Sequence, residues 1–304
     1  MTTTMNLKTP PTTIASPSRW RSLGRMVGTL WGNGKARLGL CILAFFVLVA
    51  VFAPLLAPYD PKDTSFERNA DASAAHWLGT TAAGEDVLSQ LIHGAQISLL
   101  VGFAAGILST VVAVLIGLSW GYLRGFAGEA VGFVVNLFLV IPGLPLMIVI
   151  AAYLQNGGIL MIVAVIVVTG WAWGARVLRS QTQSLRGRDF VASAQFSGDS
   201  PARIVFREIL PNMTSIIAGT LFGAATAAIL AEAGLEFLGL GDSSIVSWGT
   251  MLYWAQNSNS LLTGQWLLLF APGLCIALLA LSLTLINFGV DGISNPRLRE
   301  GKGR

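Results

Sequence analysis

The sequence predicts an all-α membrane protein that crosses the bilayer six times, and three observations carry that prediction. Only 11% of the 304 residues are charged and mean hydropathy is +0.68, whereas a soluble domain carries roughly a quarter charged residues. Six apolar runs are each close to the ~20 residues that a helix needs to cross a ~30 Å hydrocarbon layer. The basic residues, finally, are confined to alternate connecting segments.

Taken in order, residues 1–37 are Thr/Ser/Pro-rich and then basic, with Lys8, Arg19, Arg21, Arg25, Lys35 and Arg37 and no acid. That composition predicts a disordered start, then a short amphipathic helix over 20–30 lying on an anionic membrane surface. A secretory signal fits poorly, because the charged lead is too long and no small-x-small site follows the apolar run. Residues 38–58 form the first span. Residues 59–94 turn polar, with Asp60, Pro61, Asp63, Glu67 and Asp71, and their closing part (87–98) is patterned as an amphipathic helix entering the next span.

A core of further spans over 95–290 follows. The second span is 97–122. The third, 131–153, contains Pro142 and Pro145, which predict a kink of the kind tolerated where neighbours or a cavity satisfy the freed carbonyls. Residues 159–175 are Val/Ile-rich but read as helix, since an open sheet edge cannot sit in lipid. The fifth span is 216–238 and the sixth 266–288, with a kink expected at Pro272; residues 291–304 form a basic tail.

Orientation follows from the cations. Seventeen of the nineteen Lys and Arg fall in 1–37, 123–130, 176–215 and the tail, and only Lys62 and Arg68 lie on the other side. By the positive-inside rule both termini and the 176–215 segment are cytoplasmic. The net charge of +4 therefore records topology, and no nucleic-acid partner is expected.

The stretch 186–212 is a polar segment between two strongly apolar ones. Its backbone groups must stand in water and meet something there. Residues 189–197 have helical character, Gly198 allows a turn or a close backbone approach, and Ser200-Pro201 opens a second helix that Leu210-Pro211-Asn212 ends. A helix–Gly–helix unit outside the membrane has the shape to seat in another protein's groove. Arg176 and Arg179, just before it, suit phosphate headgroups or serve as topology anchors.

This stretch resembles the cytoplasmic loop of ATP-binding cassette (ABC) importer permeases, whose pattern is Glu-Ala-Ala, three residues, Gly, then Leu-Pro twelve residues beyond. Here Ala192-Ser193-Ala194, Gly198 and Leu210-Pro211 stand at those places. Flanking Arg188-Asp189-Phe190-Val191 and Phe206-Arg207-Glu208-Ile209 resemble the branch serving dipeptides, oligopeptides and nickel. So do His76-Trp77-Leu78-Gly79-Thr80, Gly94-Ala95-Gln96-Ile97-Ser98-Leu99, Glu232-Ala233-Gly234-Leu235-Glu236-Phe237-Leu238-Gly239-Leu240-Gly241, Ser247-Trp248-Gly249 and Asn295-Pro296-Arg297-Leu298. The likeness covers nearly all of 38–299 and is to the second, C-type permease of the pair.

The resemblance implies a type I importer permease fold in the cytoplasmic (inner) membrane. It also implies four kinds of partner: a second permease, one or two ATPase subunits, an extracytoplasmic substrate-binding protein and the lipid bilayer. The residues it assigns to ATPase coupling are Arg188, Asp189, Phe190, Ala192, Ser193, Ala194, Gly198, Arg207, Leu210 and Pro211. Ala192 departs from the family's Glu, so coupling would lean on shape and on Arg188, Asp189 or Arg207. The chain has no G-x-x-x-x-G-K-[ST] loop, which leaves nucleotide to separate subunits; no enzyme activity, metal or cofactor is expected of this one. Peptides are the first expectation for substrate. Oligosaccharides are the second, from the look of 141–146 and 248–254, with nickel behind them.

Glu232 and Glu236 lie one helical turn apart toward the outer end of the fifth span. Ionisable groups at that depth are expensive; they line the pathway, meet the binding protein, or hold spans together. In 239–265 the only charge is Asp242, set among Trp248, Tyr253, Trp254 and Trp266 as an interfacial belt or an outer gate. Cys41 and Cys275 read as buried apolar thiols and His76 and His93 as packing or loop residues, since no ligand cluster accompanies them. A membrane enzyme would need a nucleophile or metal motif, a channel a filter loop or charged ring, and a secondary transporter internal repeats with midplane charges. None is present in the sequence.

Overall fold

The computed structural model describes residues 31–154 and 158–294. The amphipathic segment expected over 20–30, the Asn295-Pro296-Arg297-Leu298 motif and most of the tail lie outside the described residues. Within them the chain is helical, and five helices are long and apolar enough to cross a membrane, six if one bent pair counts as a single span. The all-α, six-span class holds.

Helix α1, Gly34–Val51, starts at Asn33, whose side chain accepts the Lys35 N–H. It stops at Phe52, and Pro54, in the first turn of the short helical stretch Ala53–Leu56 that follows, has no N–H to continue the ladder. Helix α2, Val87–Tyr122, runs 36 residues without interruption, about 54 Å at ~1.5 Å per residue. The segment 87–98, expected as a lead-in, is therefore continuous with the span and carries α2 beyond the hydrocarbon, where the 59–86 loop wraps it. Asp86 caps α2 by accepting the Ser89 N–H at 2.8 Å. It also holds the His76 imidazole at 2.9 Å, in a cluster of rings with Tyr59 and Phe66. His76 is thus a packing residue, as its isolation in the sequence implied.

The third span breaks in two. Helix α3 is Gly125–Val140 and α4 is Gly143–Tyr153, at 88° to each other. Ile141, held extended by the following proline, ends α3; Pro142 caps α4 and Pro145 sits in its first turn, where a missing N–H costs nothing. Helix α5 is Gly158–Arg186. After the 186–213 connection come α7, Thr214–Phe237, and α9, Leu267–Ser294, which continues through Pro272 as one element. Two short helices, α6 and α8, lie in the connections and are described below.

Helix α2 is the central element, with α5 along one side and α7 along the other; α9 packs on α7, and α1 on α9. Glycines set these seams. A Cβ on Gly106 would come 2.7 Å from the Ala225 backbone, and one on Gly117 2.7 Å from the Ala175 carbonyl. Small residues let helices approach in lipid, where no hydrophobic force drives them together. The cysteines differ from expectation. Cys41 is exposed on α1 and Cys275 is half-buried, because α1 is a peripheral helix with one face on its neighbours and the rest turned outward.

Candidate functional site

Two places gather the polar and aromatic residues singled out in the sequence, one at each end of the bundle. The first is the connection from α5 to α7. Helix α6, Asp189–Phe196, ends in a Schellman turn: the Gly198 N–H bonds to the Gln195 carbonyl and the Asp199 N–H to the Ala194 carbonyl. Gly198 sits at φ +81° with open space where a Cβ would be. Its role is thus the turn itself and not a close approach. Ser200 caps the next segment and Pro201 occupies its first turn. Residues 204–209 then widen into a π-turn, with the Leu210 N–H reaching back to the Val205 carbonyl. Widening of this kind accommodates Pro211, which has no N–H to give; the Asn212 amide instead donates to the Glu208 carbonyl at 2.7 Å.

One side of this unit is core. Val191, Ile204, Val205, Ile209 and Met213 are buried with Leu118 and Trp120 of α2 and Leu178 of α5, and Phe190, Ala194 and Leu210 pack against them. The end of α2 fastens it further. Arg186 donates to the Tyr122 carbonyl at 3.1 Å and lies over the Tyr122 ring, and Arg179 stacks on Trp120 at 3.9 Å. The unit therefore moves with α2, α5 and the start of α7.

The other side is exposed. Of the residues assigned to coupling, Arg188, Asp189, Ser193, Gly198, Arg207 and Pro211 face outward, Ala192 is half-buried, and Phe190, Ala194 and Leu210 serve the inner face. Phe196 was not singled out in the sequence and is 93% exposed; Phe206, ten residues further along the chain, is 46% exposed. Only knowing which face of α6 is pinned by Val191 distinguishes Phe196 from a core residue. Arg188 and Arg207 make no ion pair among the described residues; Arg203 pairs with Asp199 at 3.1 Å.

The second place is at the opposite end, where four motifs quoted above converge. The segment 239–265, expected as a loop, contains helix α8, Trp248–Asn257, started by a reciprocal capping box between Ser247 and Thr250. Trp248 is buried against Phe46 of α1, at 5.3 Å between ring centres, and donates its indole N–H to the Leu91 carbonyl. It leaves so little room that a Cβ on Gly94 would meet its ring at 2.9 Å. Glu232 is fully buried, accepts from Ser98 at 3.2 Å and has its carboxyl against that of Glu236. Glu236 accepts from Ser247.

The structure thus brings Glu232, Glu236 and Trp248 together, but inside the chain, between α2, α7 and α8. Beside them Gly239, at φ +74°, closes α7 with a second Schellman turn under the Tyr253 ring. Asp242 stands in water, where the Ser244 hydroxyl and then its N–H hold the carboxyl below the usual range. No cluster of His, Cys, Asp or Glu among the described residues could hold a metal.

Comparison with known proteins agrees along the chain. The family described as binding-protein-dependent transport system inner membrane component matches residues 113–300, and the N-terminal TM domain of oligopeptide transport permease C matches 24–75. The dipeptide transport system permease protein DppC of Bacillus subtilis is 31% identical over 294 residues, 95% of this chain and 88% of the relative. The oligopeptide transport system permease protein OppC of Mycobacterium tuberculosis is 34% identical over 264 residues, 86% of this chain and 89% of the relative. The di/tripeptide transport system permease protein DppC of Pseudomonas aeruginosa is 32% identical over 290 residues, 92% and 91%.

Proposed function

The chain belongs to the family of binding-protein-dependent transport inner-membrane components, and from that membership we propose that it is the permease subunit of an ABC importer for dipeptides or oligopeptides. It is a multi-pass membrane protein, and its family is one of transport components, not catalysts. In this reading a second permease completes the pathway, an extracytoplasmic binding protein delivers peptide, and separate ATPase subunits hydrolyse nucleotide. Both termini and the 186–213 unit face the cytoplasm. The peptide assignment is supported by relatives whose names specify dipeptide, oligopeptide and di/tripeptide transport.

The observation that carries the coupling role is the two-sidedness of the 186–213 unit. Its buried side is continuous with α2, α5 and α7, so a displacement of the unit is a displacement of the spans. Its outward side offers Phe196, almost fully exposed, among Arg188, Ser193 and Arg207. An exposed aromatic on a rigid platform is the residue type that anchors protein interfaces. The ATPase subunit is the partner that seats it.

The test is reconstitution of the complete importer with native permease and with Phe196→Ala. Because Phe196 contacts solvent, its removal leaves the permease fold intact. Peptide-stimulated ATP hydrolysis and ATPase retention should fall by at least the ~30-fold that a hot-spot aromatic of about 2 kcal/mol represents. Unchanged hydrolysis and uptake would reduce this unit to a topology-setting loop.

A further inference from the structure

Glu232, Glu236 and Trp248 are buried inside the chain, and a separate set of polar groups lines a groove. A groove of about 560 Å³ runs where α2, α5, α7 and α9 meet, lined by 109–113 of α2, 170–181 of α5, 216–227 in the first half of α7 and Asn287 toward the end of α9, a size within the range of small-molecule sites. Gly170 and Gly174 on α5 and Gly219 and Gly223 on α7 line it. So do Trp171 and Trp173, and none of its lining residues is charged.

Its hydrogen-bonding groups are neutral, and two of them are unspent. Ser109 of α2 is only 3% exposed, yet its hydroxyl has no partner, and neither has the Asn287 carbonyl oxygen of α9. A serine in an apolar helix usually gives its proton to the carbonyl one turn back. The adjacent Thr110 does so, to Gly106 at 2.7 Å; Ser109 instead stands opposite Gly170, where an added Cβ would lie 3.6 Å from its oxygen. Unsatisfied polar groups at membrane depth are costly, and one pathway that would use them is the substrate's.

We propose that this groove is a station for the backbone of a short peptide in transit, with Ser109 and Asn287 bonding its amides. The inference rests on the peptide-importer reading above. A peptide main chain offers uncharged N–H and C=O groups, which is what Ser109 and Asn287 can pair. The glycines let a main chain come close, and the tryptophans present apolar walls that tolerate varied side chains. A wall without fixed charge does not select for the charge of those side chains, as a carrier of many sequences requires.

The glycines also supply the test. A Cβ at Gly170 or Gly223 would make only ordinary contacts, 3.6 Å to Ser109 and 3.8 Å to Asn287, whereas one at Gly174 would meet Ala113 and Thr220 at 2.9 Å. Gly170→Leu and Gly223→Leu therefore enter the groove from positions with room for a Cβ, and pairing with the second permease checks that the fold survives. In proteoliposomes holding the complete importer, both should abolish uptake of a transported dipeptide while leaving assembly and basal ATP hydrolysis intact. Ser109→Ala and Asn287→Leu should each lower uptake by about fivefold, the value of one neutral hydrogen bond. In a permease carrying Gly223→Cys, Cys41→Ser and Cys275→Ser, dipeptide under turnover should slow maleimide labelling, and a non-transported peptide should not.

Normal uptake by both leucine variants would overturn the proposal. So would failure of those variants to pair with the second permease, which would make the groove a helix-packing seam. Protection by an oligosaccharide but not by peptide would refute the ligand chemistry. Absence of any peptide uptake by the native complex would instead remove the functional reading on which the station depends.

Discussion

Ser98 on α2 donates its hydroxyl hydrogen to Glu232 on α7 at 3.2 Å, and the same oxygen accepts the backbone N–H of Trp248 of α8 at 3.3 Å. One small side chain thus joins three helices that lie far apart in sequence. Ser98→Ala leaves a fully buried carboxyl without the donor to Oε1. The expected loss is about 1–3 kcal/mol, read as a lower unfolding temperature of the solubilised permease. Ser98→Ala combined with Glu232→Leu should be milder than Ser98→Ala alone, because removing both polar partners removes the desolvation penalty. A double variant as damaged as the single one would show that the pin does not work through this pair.

The same junction is tight on the α8 side. A Cβ on Gly249 would lie 2.7 Å from the Glu236 carboxylate and 3.1 Å from the Ala233 backbone, while one on Gly234 would meet nothing within 4 Å. Gly249→Ala should cost about 1–3 kcal/mol by overpacking. Gly234→Ala should stabilise by about 0.4–1 kcal/mol through the unfolded chain. The pair is checked side by side in thermal melts, and a tolerated Gly249→Ala would mean that α8 is free to lift off α7.

At the other end, Gly198 is required for its backbone angle and not for space. Substitution by Ala places a Cβ in the left-handed region at about 1–2 kcal/mol, whereas Asn visits that region with less penalty. Peptide-stimulated ATP hydrolysis should therefore rank Gly198 above Gly198→Asn above Gly198→Ala. Assembly of the permease pair should be unchanged throughout. If Ala equals the native residue, the Schellman turn does not set the docking angle of α6.

What the sequence reveals of this molecule divides along physical lines. Span number, the break at Pro142 and the Gly198 turn were all legible, because hydropathy, a missing N–H and a positive φ are local properties. Helix α8 was not, since it is short, sits between spans, and is capped by Thr250 where the usual signature has Glu or Gln. The placement of Glu232 and Glu236 was illegible for another reason. Whether a membrane carboxylate faces a pathway or a neighbour depends on partners such as Ser98 and Ser247, and no local pattern names them. Phe196 belongs to the same class, since its exposure follows only once Val191 is known to be the buried face of α6.

In the proposed coupling role, Ala192, which stands where the resembled loop pattern has Glu, separates charge from shape. Ala192 is half-buried on α6, one turn beyond the exposed Arg188, whose carbonyl accepts its N–H. Ala192→Glu would add an acid close to that arginine, and an exposed ion pair is worth about 0.2–1 kcal/mol. Peptide-stimulated ATP hydrolysis is therefore expected to change by less than about fivefold, which corresponds to that upper value. Arg188→Ala and Arg207→Ala, which remove unpaired cations from the outward face, should weaken ATPase retention most at low ionic strength, where screening is least. If Ala192→Glu instead raised coupling well beyond fivefold, the missing acid would be the limiting contact in this complex. The aromatic face would then be only its support.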